Sequence, residues 1–306
     1  MAQEKLQSRA VQTTGHAWDG DLQEYNNPLP TWWLWAFFAT VILSVLYWIA
    51  YPAWPVAQGF TRGLFSIDYV NDKGEQVTTH WNTRALLMKE MNEAQAQQQP
   101  FMQRIADTPY EKLAADPEMA GFVASAGKTL FSENCAACHQ AGGQGKVGFF
   151  PALTDDDWLY GGTYDKIHQT ISDGRSGYMP PFGEVLNDIQ ITQLASYVLS
   201  LSGKAPANAD ARAGEALFKS EDAACFYCHT TSGAGRQDLG AANLTDQIWL
   251  WANVQDGADP QQNLKAVREV ISKGLNRGVM PAWNTRLSDA QIKLLTLYVR
   301  QLGVAK

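Results

Sequence analysis

The sequence predicts an all-α chain: one N-terminal membrane-spanning helix, then two tandem copies of a single helical unit. Three observations carry that expectation. Residues 32–51 form an unbroken apolar run, two later stretches repeat one another from their opening to their closing helix, and the segment between anchor and repeats is rich in good helix formers. With 306 residues, 45% of them hydrophobic and 18% charged, the composition is that of an ordinary folded chain of about two domains. A formal net charge of −7 argues against nucleic acid as a partner. A mean hydropathy of −0.26 excludes a polytopic membrane protein and leaves room for one span.

The anchor comes first. No charged side chain occurs between Glu24 and Arg62, and Trp32–Tyr51 contains only Thr40 and Ser44 as weakly polar members. Twenty helical residues at 1.5 Å each match a hydrocarbon core of ~30 Å. Trp32, Trp33 and Trp35 gather at one end and Tyr47, Trp48, Tyr51 and Trp54 at the other, as in the aromatic belts of membrane interfaces. Pro28 and Pro30 precede the run and Pro52 and Pro55 follow it. The run is too long and starts too late for a cleaved signal peptide. Residues 61–82 read as a short polar connection, and 84–106 as a helix with a kink expected at Pro100.

The repeat organises the rest. One copy opens with Ala126-Gly127-Lys128-Thr129-Leu130-Phe131, the other with Ala213-Gly214-Glu215-Ala216-Leu217-Phe218. Met179 to Tyr197 and Met280 to Tyr298 have the same spacing, and the second copy carries its extra residues around Trp251–Gln262. Asn187 and Ser288 are N-cap candidates, each followed by Asp and an apolar stripe: Ile191, Leu194, Tyr197, Val198, Leu201 and Ile292, Leu295, Tyr298, Val299, Leu302. Gly127 and Phe131, like Gly214 and Phe218, share a face on which a second helix can approach closely. The division expected is a segment 1–30, an anchor 31–56, a helical linker 57–118, and repeat units at 119–204 and 207–306.

All four cysteines lie in two Cys-x-x-Cys-His motifs, Cys135/Cys138/His139 and Cys225/Cys228/His229. On a helical turn, thiols at i and i+3 project to one side, where they can add to the two vinyl groups of a haem, and the following His is brought beneath the iron. Two covalently bound haem c groups, on two tandem cytochrome c (class I-like) domains, are therefore expected. A thioredoxin-like pair would not explain the His twice, and the two cysteine pairs are too far apart in sequence for one zinc site. An electron-carrying iron needs a sixth ligand, and Met179 and Met280 are the methionines at equivalent positions of the copies, each followed by Pro. Whether each Met serves its own copy or the other is open from spacing. Met1, Met88, Met91, Met102 and Met119 read as start, helix or surface residues. His168 aligns with Arg268 and so is no ligand; His16 and His80 read as solvated. Arg175 and Arg277 are candidates for haem propionates or solvated loop residues, and Asp155–Asp157 for a solvated run or a helix start. Covalent haem attachment in bacteria occurs outside the cytoplasmic membrane, which places the C-terminal units in the periplasm and residues 1–30 in the cytoplasm.

The stretch Gly15–Trp33, GHAWDGDLQEYNNPLPTWW, leading into a spanning helix and two such units, resembles the dihaem subunit (subunit III) of cbb3-type cytochrome c oxidases. The resemblance implies an inner-membrane subunit that passes electrons from a donor c-type cytochrome to the monohaem cytochrome subunit and then to the catalytic haem–copper subunit. There oxygen becomes water and protons are pumped. It implies thioethers at Cys135, Cys138, Cys225 and Cys228, axial ligands at His139, His229, Met179 and Met280, methionines that cross between units, and no catalytic residue in this chain. Some members carry a further spanning helix ahead of this one, and residues 1–30 contain no second apolar run. Two other readings stay open: a dihaem membrane cytochrome serving a different dehydrogenase or reductase, and a haem-based gas sensor with one Met displaced.

Overall fold

The computed structural model describes residues 12–276 and 279–304. The chain divides into two compact units, Met1–Gln97 and Gln98–Lys306.

In the first unit, β1 (Thr13–Trp18) and β2 (Leu22–Tyr25) form an antiparallel hairpin whose turn places Asp19 and Gly20 at positive φ. Helix α1 (Thr31–Ala50) starts directly after Pro30, which fixes φ without needing a donor, and its 20 residues leave no side chain buried. It is long and apolar enough to cross a membrane. Its C-terminal carbonyl, Ala50 O, accepts from Leu64 N at 2.9 Å, and Tyr51 packs edge-on against Trp81. Two hairpins follow, β3 (Pro55–Val56) with β4 (Gly59–Phe60) and β5 (Ser66–Val70) with β6 (Gln76–His80). On β5 and β6 the half-covered residues alternate, bringing Ile67 opposite Thr79 and Tyr69 opposite Val77 on one face. The 61–82 connection is therefore a small sheet rather than an irregular link. His80 is half-buried with its ring against Phe60, not solvated. Helix α2 (Thr83–Asp107) opens on Asn82, whose Oδ1 accepts from Ala85 N, and runs on through Pro100.

In the second unit, short α3 (Tyr110–Ala114) precedes α4 (Pro117–Phe122), which Asp116 caps by accepting from Glu118 N. One π-helical turn, Val123–Gly127, joins α4 to α5 (Lys128–Asn134), and α6 (Ala136–His139) carries the first motif. Then come α7 (Tyr164–Asp173), β7 (Arg175–Ser176) and α8 (Asp188–Leu201), which begins with a complete Asn187/Gln190 capping box. The second copy supplies α9 (Ala209–Phe218), α10 (Phe226–His229) with the second motif, α11 (Pro260–Lys273), β8 (Val279–Met280) and α12 (Asp289–Val304). Ser288 caps α12 through Gln291 N. The chain is mostly helical rather than all-α, because among the described residues four two-stranded antiparallel sheets accompany the helices.

The packed cores do not follow the repeat copies. One core joins Phe131, Ile167 and Ile171 of the first copy to Ile292, Leu295 and Tyr298 of α12. The other joins Phe218, Val267 and Ile271 of the second copy to Ile191, Leu194 and Tyr197 of α8. The closing helices are thus exchanged. The linker gives the physical reason: Ser202–Asn208 is short, so α8 and α9 pack against each other. The face that α8 would have covered on α5 is filled by its counterpart α12. The contiguous units 119–204 and 207–306 describe the repeat, whereas the second core lies entirely within residues 179–271 and is inserted into the first.

Close approach at the glycines expected from sequence makes the exchange tight. A Cβ on Gly127 would lie 2.7 Å from Tyr298 Cβ, and one on Gly214 2.0 Å from Gln193 O. Beside them, Phe131 meets the Tyr298 ring at 5.5 Å and Phe218 meets Tyr197 at 5.2 Å. The aligned residues His168 and Arg268 make equivalent contacts. His168 Nε2 lies 3.1 Å from Asp289 Oδ1 at the start of α12, and Arg268 lies 3.0 Å from Asp188 Oδ1 at the start of α8. Each ties an exchanged helix to the copy that receives it. Met119, expected at a surface or on a helix, is helical and fully buried in the first core.

Candidate haem sites

Each Cys-x-x-Cys-His motif sits on a single helical turn, which puts both thiols on one side and the His at its end. Cys138 and Cys228 are exposed; Cys135 and Cys225 are half-buried, and burial pushes each of these thiols up to about 11. Among the described residues no cluster of His, Cys, Asp and Glu could hold a bare metal ion.

Both histidines are oriented alike. His139 Nδ1 bonds Pro151 O at 3.0 Å and His229 Nδ1 bonds Ala242 O at 2.9 Å. A backbone carbonyl only accepts, so Nδ1 carries the proton and Nε2 keeps its lone pair for a metal. Burial lowers the pKa of both rings, which keeps them neutral.

The two Met-bearing loops run antiparallel and bond to each other. Arg175 pairs with Met280, Ser176 with Val279, and Met179 exchanges backbone bonds of 2.8 Å with Leu275 in both directions. Gly174 and Gly274, each at positive φ, make this crossing possible: a Cβ on Gly174 would meet Met280 O at 2.3 Å, and one on Gly274 would meet Met179 O at 2.4 Å. The first loop continues onto the end of α11, where Phe182 N donates to Ile271 O, and the second onto the end of α7, where Trp283 N donates to Ile171 O.

The consequence is that sequence copies share their sites. Met179, from the first copy, lines one apolar cavity with Cys225 and His229 of the second, enclosed by Leu194, Phe218 and Val267 among others. Its walls are almost wholly apolar, as suits a flat aromatic cofactor. Met280, from the second copy, packs in the core that contains Cys135 and Phe131 of the first. The donor set therefore fits a haem: paired thiols, an oriented neutral imidazole and a thioether on an apolar wall. One further observation fits its polar edge. Trp249 Nε1 is buried beside this cavity without an acceptor, where a propionate carboxylate would supply one.

The match is to known proteins along nearly the whole length. Residues 10–58 match the family described as the N-terminal domain of cytochrome oxidase-cbb3, FixP, and residues 123–198 and 209–299 match cytochrome C oxidase, cbb3-type, subunit III. The cbb3-type cytochrome c oxidase subunit FixP of Azorhizobium caulinodans is 42% identical over 95% of this chain and 92% of its own. This chain belongs to the subunit III family of cbb3-type cytochrome c oxidases. The FixP subunit of Bradyrhizobium diazoefficiens is 40% identical, and the CcoP subunit of Cereibacter sphaeroides 37%, over comparable lengths. Haem c binding, electron transport and a membrane anchor come with membership of the subunit III family.

Several expectations need correction in detail. Arg175 is not a solvated loop residue: it is half-buried, its Nε donates to Thr170 Oγ1 and its guanidinium lies 4.8 Å from the Tyr160 ring centroid. Arg277 lies outside the described residues. Asp155–Asp157 starts no helix, and Asp157 is half-buried at the cavity wall, where burial, Asp246 and Asp155 push its pKa up to about 6. Reasoning from the motifs misses Trp158 and Trp249, although Leu-Thr-Asp-x-x-Trp recurs at 153–158 and 244–249 and marks both.

Proposed function

We propose that this subunit carries two haem c groups and relays electrons from a donor c-type cytochrome, through the monohaem cytochrome subunit, to the catalytic haem–copper subunit of a cbb3-type oxidase. The observation that supports it most strongly is the cavity in which Met179 of one copy lines the same wall as Cys225 and His229 of the other. Bound haem c supplies reversible one-electron chemistry at iron.

The chain's own residues define the rest. Cys135 and Cys138, and likewise Cys225 and Cys228, hold the group covalently on one helical turn. His139 and His229 present Nε2, kept in the right tautomer by Pro151 and Ala242 carbonyls. Met280 would serve the haem attached beside His139 and Met179 the one attached beside His229, each held by the crossed loops. His/Met ligation would raise the potential relative to His/His and would leave no open coordination position for substrate or gas. No substrate chemistry is assigned to this chain. The haem-bearing unit lies in the periplasm of a bacterial inner membrane, with residues 1–30 in the cytoplasm.

Oxygen uptake by the assembled oxidase tests this reading. With a reduced c-type cytochrome as donor, His139→Ala or His229→Ala is expected to lower uptake to background. The wild-type reduced subunit is expected to leave added carbon monoxide unbound at its own haems. Undiminished uptake in both variants would overturn the relay, and carbon monoxide binding to the wild-type subunit would favour the gas-sensing alternative.

A further inference from the structure

The hairpin β1–β2 is folded, yet none of the described residues covers it. Every residue from Gln12 to Pro30 is exposed, including Trp18 at 53% and its cross-strand partner Leu22 at 66%. An isolated two-stranded hairpin is marginal in water, so a persistent one needs a surface to pack on. Trp18 and Leu22 face the same side, with the His16 ring 4.5 Å from Trp18. Around them stand Asp19, Asp21 and Glu24, and there is no Lys or Arg between residue 12 and Arg62. Only Asn26–Pro30 separates the hairpin from α1, so it lies within about 17 Å of the point where the span begins.

Charge decides between the surfaces available there. Three carboxylates are repelled by the anionic cytoplasmic leaflet. The cytoplasmic loops of other integral membrane proteins are, by contrast, enriched in Lys and Arg close to their spans. We infer that the β1–β2 hairpin docks on a basic cytoplasmic loop face of a neighbouring membrane subunit, with Trp18 and Leu22 as its apolar contact and Asp19, Asp21 and Glu24 as its charged rim. This inference rests on the cytoplasmic placement of residues 1–30 proposed above. A buried aromatic anchor flanked by complementary charge is the arrangement that carries most binding energy at small interfaces.

The test uses the full chain expressed with the other oxidase subunits. Trp18→Ala/Leu22→Ala and, separately, Asp19→Lys/Asp21→Lys are each expected to lower the catalytic subunit recovered with this chain by about tenfold or more. The chain's own amount in membranes, followed by haem staining, is expected to stay unchanged, which separates lost docking from lost folding. A photoreactive benzoyl-phenylalanine in place of Leu22 should give an adduct with a protein subunit. Unchanged recovery in both variants, or adducts with lipid alone, would overturn docking. Protease added outside spheroplasts should spare the hairpin; cleavage there would overturn the topology, and with it this inference, whatever the recovery shows.

Discussion

In a chain that keeps only the first attachment motif (Cys225→Ala/Cys228→Ala), Met280→Ala is expected to abolish the weak near-infrared sulfur-to-iron band, whereas Met179→Ala leaves it intact. With only the second motif kept (Cys135→Ala/Cys138→Ala), the two methionines exchange roles. The expectation follows from the crossed loops. Met179 lines the cavity of Cys225 and His229, and Met280 packs in the core of Cys135. The loops are fixed in that crossing by the β7–β8 pairing and the reciprocal Met179–Leu275 bonds, so neither can swing back to its own copy without breaking a small sheet. The reduction potential of the affected haem should also fall, because a thioether ligand favours the reduced iron. If each methionine acted within its own copy, the same four chains would give the reverse pattern.

Ending the chain at Asn276 is expected to destroy the first site and spare the second. The lost segment contains Met280 and α12, and with it the buried Ile292, Leu294, Leu295, Leu297, Tyr298 and Val299 of the first core. Each such side chain contributes about 1.5–3 kcal/mol on burial, so their sum is comparable to the whole ~5–15 kcal/mol by which a domain is stable. Every residue of the second core lies upstream of the cut. Spectra should therefore show one six-coordinate haem with its sulfur band, and a second that binds carbon monoxide. Were the two sequence copies independent domains, the truncation would remove the His229 site and leave the His139 site whole.

The features legible in the sequence are those encoded locally. The apolar run with its flanking prolines sets α1, and Asn187 with Gln190 and Ser288 with Gln291 set the starts of α8 and α12. The cysteine motifs, placed on helical turns, need only their spacing. The exchange of closing helices is not legible in the residues, because the two copies carry interchangeable surfaces. Gly127 and Phe131 accept Tyr298 as well as Gly214 and Phe218 accept Tyr197, and only the short linker after α8 decides which pairs form. The crossing of methionines comes from family resemblance alone. The small sheets escape for another reason. Ile67 and Tyr69 facing Val77 and Thr79 around Asn71–Gly74 is a period-two pattern with a turn, but too short to outweigh the polar residues between. Trp249 escapes because its meaning lies in a missing hydrogen-bond partner, which no sequence displays.

Two porphyrins joined to the polypeptide through its four cysteines are the premise of every expectation above. Intact mass spectrometry of the mature chain measures this directly. The bare polypeptide is 33.8 kDa, and the mature chain is predicted to exceed that value by two haem masses, falling by one when either cysteine pair is replaced by alanine. A mature chain weighing no more than its amino acids would contradict it.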